Sequence, residues 1–335
     1  MNRSRQAILL VFILLFSLIM PFAIPSATIP EDIRASLEEE LWSDAESFGG
    51  ARLLNALFPS AVAEEALTPL PMDFSSGRKP DTSRFSADGY EDESINVKLE
   101  IQENNGVVWR IAYVTIQDAS QLRTAMAGSL RSNRVALISS MAEKNNAVIA
   151  INADYLSNNP AKTSFEYRMG EKVRAKFNPT KDLLVTDENG DFHIFTAKRQ
   201  KDGVARLQKD GHRIINAFTF GPALVIDEEL QTIPQKYGYN PHGREPRMAI
   251  GQMDKLSYVL VLAEGRTEDS QGVTQQELAD FMFGLGCSQA FNFDGGNSAT
   301  MVFNGGYFQD KSRENERAQS DMLYFATLVG KESKE

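Results

Sequence analysis

Three times in this chain, two runs of strand-like residues are joined by a short polar turn. Ile95, Val97, Leu99 and Ile101 alternate with polar neighbours, Asn104-Asn105-Gly106 intervenes, and Val107, Trp109, Ile111 and Tyr113 alternate again. Residues 182–186 and 192–195 flank Glu188-Asn189-Gly190, and residues 247–252 and 256–263 flank Met253-Asp254-Lys255. A period of two puts successive side chains on opposite faces of a strand, and Asn-Gly suits the positive-φ turns that match strand twist. The chain is therefore committed to antiparallel hairpins. Two helices interrupt them. Ser132 is placed to cap a segment carrying Val135, Ile138, Met141 and Ala142, which leads into a strand at 148–151. Thr274 with Glu277 forms a capping box, Leu278, Phe281, Met282 and Leu285 follow at helical spacing, and Gly286 marks the end. The expected fold class is α+β: a mixed, largely antiparallel sheet built from hairpins with packed helices, in one globular domain over residues 91–330.

Ahead of that domain the chain changes character twice. Arg3 and Arg5 precede an uncharged run at 6–30 whose apolar heart is 7–24. That is the pattern of an export signal, about long enough to cross a bilayer, which takes roughly 20 residues. Residues 1–30 read as a signal anchor or a cleaved signal peptide, with the remainder outside the cytoplasm because the arginines stay inside. The chain is then cell-membrane-anchored and facing outward, or secreted. Between 31 and 65 stand nine Asp/Glu against Arg34 and Arg52, and Pro69, Pro71 and Pro80 follow. Residues 31–90 read as an acidic, partly ordered spacer whose charge keeps it solvated.

Charge and rare residues narrow the chemistry. Lys+Arg 35 against Asp+Glu 45 gives 35 − 45 = −10, which disfavours a sequence-independent nucleic-acid binder. One cysteine, Cys287, excludes an internal disulfide and a dithiol pair. It is expected to be a small core residue. His193, His212 and His242 are widely spaced, so no tight transition-metal site is expected among them. No cofactor is expected, and weak structural calcium on Asp and Asn oxygens is the one ion left room for. Trp42 and Trp109 carry no carbohydrate-stacking signal.

The most informative stretch is FNFDGGNSATMVFNG, residues 291–305. A hydrophobic strand ends in a carboxylate, two glycines follow, then short polar side chains and another strand. By composition alone it is equally a tight Asp-Gly-Gly turn or an anion-binding loop. The stretch resembles the signature of the phosphodiester glycosidase family. Other blocks resemble that family's and fall in its order: Ala150-Ile151-Asn152-Ala153-Asp154-Tyr155, Gly221-Pro222-Ala223-Leu224-Val225, Pro246-Arg247-Met248-Ala249-Ile250-Gly251, Glu264-Gly265-Arg266, and Glu316-Arg317 with Ser320-Asp321. The departures are Asn297 for a glycine, Ala299 for a serine, Glu264 for an aspartate, and Ala153-Asp154 for a glycine pair. Asn297 is expected to keep a positive φ.

The resemblance implies an exported hydrolase that cleaves the glycosidic bond of sugar-1-phosphodiesters in envelope or extracellular glycans. The partner implied is a carbohydrate phosphodiester, with membrane contact through the N-terminal segment. Such a reaction needs a carboxylate near the anomeric carbon and cationic or N–H donors around the departing phosphate. Asp294 is the first choice for the carboxylate, and its arginine neighbours are expected to keep it ionised. Asp154 and Glu264 come second. Arg247 and Arg266 are expected on the phosphate with the backbone of Gly295, Gly296, Asn297 and Ser298, the hydroxyls of Ser298 and Thr300, and Arg317. Arg317 and Asp321 also read as an ion pair, and Asn152 either fixes a loop or touches a sugar hydroxyl. Two other readings stand. One is a catalytically silent module that binds sugar-phosphate polymers or assists exopolysaccharide assembly. The other, a metal-dependent phosphodiesterase cleaving P–O, is disfavoured because no ligand cluster is visible in the sequence.

Overall fold

The computed structural model describes residues 67–130, 132–154, 163–311 and 314–329. The expected export signal at 1–30 and the spacer at 31–66 lie outside the described residues. Those described belong to one compact unit, Leu67–Glu335. Residues 67–90, read from sequence as spacer, carry Leu70 and Tyr90 into apolar clusters. Among the described residues no helix is long and apolar enough to cross a membrane.

Strands are numbered along the chain, and they form three sheets. The largest runs β1 (Gly89–Glu91), β2 (Ile95–Asn104), β3 (Val107–Ile116), β14 (Ser257–Ala263), β13 (Arg247–Asp254), β15 (Gln289–Phe293), β11 (Ala223–Ile226), β12 (Glu229–Leu230). A second runs β7 (Glu171–Ala175), β6 (Phe165–Arg168), β10 (Ile214–Thr219), β8 (Leu183–Asp187), β9 (Phe192–Phe195). The third runs β17 (Gly306–Tyr307), β16 (Met301–Phe303), β5 (Ile149–Asn152), β18 (Asp321–Phe325), β4 (Leu122–Met126). All three expected hairpins form, as β2–β3, β8–β9 and β13–β14. Asn105 and Gly106 take the positive φ that the first turn requires. Where the sequence suggested one mixed sheet, the pairings within these three sheets are antiparallel throughout.

Period-two alternation explains how three sheets share one core. Val97, Leu99, Val114, Leu260, Ile250 and Phe293 face Leu184 and Phe218 of the second sheet and Ile149, Met301 and Leu323 of the third. Each fully buried aliphatic or phenyl group there contributes roughly 1.5–3 kcal/mol. The outer face of each sheet packs a helix. α3 (Gln275–Gly284) covers the first through Leu278 and Met282, α1 (Ile138–Lys144) the third, and α2 (Gln200–Lys209) the second through Val204 and Leu207.

The capping box on α3 forms as the sequence dictates, with Thr274 and Glu277 exchanging hydrogen bonds. Helix α1 differs from expectation. It starts at Ile138 after Leu137, leaves Val135 exposed, and takes no cap from Ser132. Glu316 supplies the acceptor from across the fold, receiving Ser139 N–H at 3.2 Å and Ser139 Oγ at 2.7 Å. Helix α2 was not foreseen, because its sequence is charged and interrupted by Gly203. That glycine is a packing requirement, since a Cβ there would come within 2.3 Å of the Phe195 ring.

Candidate active site

The strand ends of β5 and β15 meet at the loop 294–300, and a single side chain holds both ends of it. Asn152, fully buried, donates from Nδ2 to Asp294 O at 2.7 Å and accepts Thr300 N–H on Oδ1 at 2.9 Å. Of its two expected roles, fixing the loop is the one seen. The two glycines answer separate demands. A Cβ on Gly295 would lie 2.5 Å from Pro246 O, and Gly296 takes φ +58. Asn297 is not among the positive-φ residues; its side chain instead accepts from Arg266 Nη1 at 2.8 Å. The expected anion cradle of loop amides is largely occupied internally. Gly296 N–H bonds Pro246 O at 2.7 Å, Ser298 N–H bonds Gly295 O at 3.1 Å, and Ala299 N–H bonds Gly296 O at 3.2 Å.

Asp294 stands partly buried at the end of β15. Burial pushes its carboxyl above the ordinary aspartate range. The Ser298 hydroxyl, the Arg317 charge and the Gly295 amide pull it back, while Asp154 adds to the rise. Desolvation is the largest of these influences, ahead of the Arg317 charge. Arg317 is exposed and reaches Ser298 Oγ at 3.4 Å, so arginine, serine and carboxylate form a contiguous set. Asp321, expected as its ion partner, is held by Arg168 Nη2 at 2.8 Å.

On the other side of the loop lies a cleft of about 220 Å³ lined by Gly296, Asn297, Glu264, Arg266 and Lys311. Arg266 is half exposed, adopts φ +64, and donates from Nε to Glu245 at 2.7 Å as well as to Asn297. Lys311 was not singled out from the sequence. It donates to Ala299 O at 2.6 Å, Thr300 Oγ1 at 2.9 Å and Asn297 O at 3.0 Å, and burial brings its ammonium down to about 8. Thr300 itself is buried beneath it. A larger cavity of about 700 Å³, lined by Phe74, Ala125, Met126, Lys144 and Glu171, contains none of these loop residues.

Three expected site residues are engaged elsewhere. Arg247 donates to four backbone carbonyls, of Val273, Tyr239, Asn240 and Gly243, at 2.7–3.2 Å. It organises the loop 239–243 rather than facing a phosphate, and burial lowers its guanidinium to about 10. Glu264 is neutralised by Arg110 Nε at 2.5 Å. Asp154 is fully buried, accepting Arg168 Nη2 at 2.6 Å and Thr219 N–H at 3.0 Å. Arg168, invisible in the sequence reading, stacks over Phe218 and also contacts Glu166 at 3.4 Å. It thereby ties the second sheet to the third beneath Asp294.

One aromatic was also missed. Tyr239 lies between Phe220, stacked on its ring at 4.2 Å, and Lys181, whose Nζ sits 3.6 Å from the ring centroid. Burial, with the charges of Asp154, Asp294 and Glu166, pushes its hydroxyl up to about 12. Trp109 is buried against Phe281, and Trp42 lies outside the described residues. Cys287 is a core residue, its thiol pushed up to about 12 by burial. The histidines do not all stay apart: His193 and His212 converge on Asp187.

A family profile described as "Phosphodiester glycosidase" matches residues 145–326, which include the loop 294–300 and the Arg168 cluster. The SPbeta prophage-derived uncharacterized protein YomE of Bacillus subtilis (strain 168) is 28% identical over 187 residues, 55% of this chain and 28% of that protein. The chain thus spans under a third of the length of this curated relative. Among solved structures, the catalytic domain of zebrafish N-acetylglucosamine-1-phosphodiester alpha-N-acetylglucosaminidase, auto-inhibited by its pro-peptide, superposes with a TM-score of 0.55 at 17% identity. That match covers 79% of this chain and 99% of the other, and it shows a shared fold. A hypothetical protein from Synechocystis matches with a TM-score of 0.49 at 15% identity, over 69% of this chain and 62% of that one.

Proposed function

The chain belongs to the phosphodiester glycosidase family, and from that premise we propose that it hydrolyses the glycosidic bond of sugar-1-phosphodiesters. The substrates are envelope or extracellular glycans, met outside the cytoplasm where the N-terminal segment delivers the chain. The observation that carries this reading is Asp294: a strand-end carboxylate, bonded by Ser298, with Arg317 beside it and a cleft at the same loop that brings Arg266 and Lys311 together with Glu264 and Asp310.

In the proposed reaction water attacks the anomeric carbon, the bond from that carbon to the phosphate-bridging oxygen breaks, and its electron pair leaves on that oxygen. A phosphomonoester is a good leaving group, so a strong proton donor matters less than charge stabilisation. Asp294 accepts the proton of the attacking water and opposes the positive charge that develops on the sugar. Arg266, Lys311 and Arg317 supply positive charge for the phosphate; at neutral pH Lys311 is still mainly protonated.

Incubating the full chain with a panel of sugar-1-phosphodiesters tests this. Release of reducing sugar, lost on Asp294→Asn, is the expected result. Saturable binding with no release supports the silent module instead.

A further inference from the structure

Two of the three histidines share one carboxylate at the other end of the second sheet. Strand β8 ends at Asp187, the turn 188–191 returns the chain, and His193 on β9 comes back beside it. His212, at the entrance to β10, arrives from the opposite flank, where Ile214 pairs with Asp187. The Asp187 side chain is wholly buried. Its Oδ1 is occupied by the amides of Asn189 and Asp191 at 2.9 and 3.0 Å. Its Oδ2 faces both imidazoles, His193 Nε2 at 3.0 Å and His212 Nδ1 at 2.9 Å. Glu188 Oε1 lies 3.8 Å from the same His212 nitrogen.

The His212 contact is not an ordinary hydrogen bond. Nδ1 is shielded from solvent and, among the described residues, makes no hydrogen bond of acceptable geometry despite its 2.9 Å approach to Asp187. An orphaned buried nitrogen is costly, on the order of 1–3 kcal/mol. Two ligands that share a cation produce this arrangement, because each aims at the ion rather than at the other. With bonds of roughly 2.1 Å, ligands at right angles are about 3.0 Å apart and tetrahedral ones about 3.4 Å. The His212 separation matches the right-angled case, and so does that of His193, whose Nε2 is also in hydrogen-bond geometry with the same oxygen.

We propose that Asp187, His193 and His212 bind a divalent first-row transition cation, with water completing its coordination. Two imidazoles and a carboxylate are a donor set that such ions accept, with open positions left over. The cation would fasten the β8–β9 hairpin to the entrance of β10 and has no part in the hydrolysis. Residue 214 and residue 219, whose amide meets Asp154, are five steps apart along β10, about 16 Å at roughly 3.3 Å per residue. The 18 residues between His193 and His212 hid the pairing, because α2 folds back between them.

The test uses the untagged full chain, titrated with Ni²⁺ by calorimetry. One equivalent should bind, with at least 10-fold weaker binding in His193→Gln and in His212→Gln, and Ni²⁺ should raise the melting temperature of the wild type only. Both histidines are partly exposed, so the variants should keep the fold, which melting without metal checks. The absorption spectrum of wild-type protein with Co²⁺ gives a readout that needs no variant: bands shifted from those of aqueous Co²⁺ by nitrogen ligation. An unshifted spectrum with no saturable Ni²⁺ binding overturns the proposal, as does equal affinity in wild type and both variants.

Discussion

At position 294 one charge separates catalysis from turn formation. Asp294→Asn keeps the size and the loop hydrogen bonding but removes that charge, so turnover should fall roughly 100-fold while a non-cleaved analogue still binds. Near-normal turnover would make Asp294 a turn residue. Because burial raises this carboxyl and the proposed role needs its ionised form, kcat/KM should rise with pH. Its acid limb should lie above the value of about 3.9 typical of an exposed aspartate. A limb at or below that value contradicts the assignment. The two arginines should behave differently. Arg266→Lys keeps charge without the fork and should cost about 10-fold in kcat/KM, or ~1.4 kcal/mol, with the fold unchanged. Arg247→Lys breaks the four-carbonyl clasp and should lower the melting temperature instead. Sequence could rank Asp294 first because a strand ending in Asp-Gly-Gly is a local pattern. It could not see that Arg247, Glu264 and Asp154 were engaged, since their partners lie on distant elements: the loop 239–243, Arg110 on β3 and Arg168 on β6.

Hairpins and the capped helix were readable because their causes are local: alternation, a turn dipeptide, a box of two side chains. Removing the box tests that, since Thr274→Ala should cost about 1 kcal/mol and roughly 2–4 °C of melting temperature. What sequence missed at this scale is held by long-range partners. Helix α1 is capped by Glu316, and α2 exists because Gly203 lets Phe195 approach. Arg168 is the strongest such case, joining β6 to Asp154 after β5 and to Asp321 on β18. Arg168→Leu leaves buried carboxylates without their guanidinium, and a loss of about 3–5 kcal/mol in unfolding free energy is expected. A variant as stable as the wild type would show that the cluster does not clamp the sheets.

For the whole molecule, three antiparallel sheets around one core bring the ends of β5, β10 and β15 together, and the candidate site forms where they converge. That convergence brings residues as far apart in sequence as Asn152, Arg168, Asp294 and Asp321 close together in space. The proposed export is tested separately: a reporter fused after Glu335 should be active only if it is of the kind that works outside the cytoplasm, and activity of a cytoplasmic-type reporter alone contradicts it. The central claim is that the sugar-to-oxygen bond breaks and the phosphorus-to-oxygen bond survives. Hydrolysis of a sugar-1-phosphodiester in water enriched in heavy oxygen, followed by mass spectrometry of both products, reads this directly. The label is expected on the anomeric carbon of the released sugar, with an unlabelled phosphomonoester; label in the phosphate would show that the phosphorus-to-oxygen bond breaks instead.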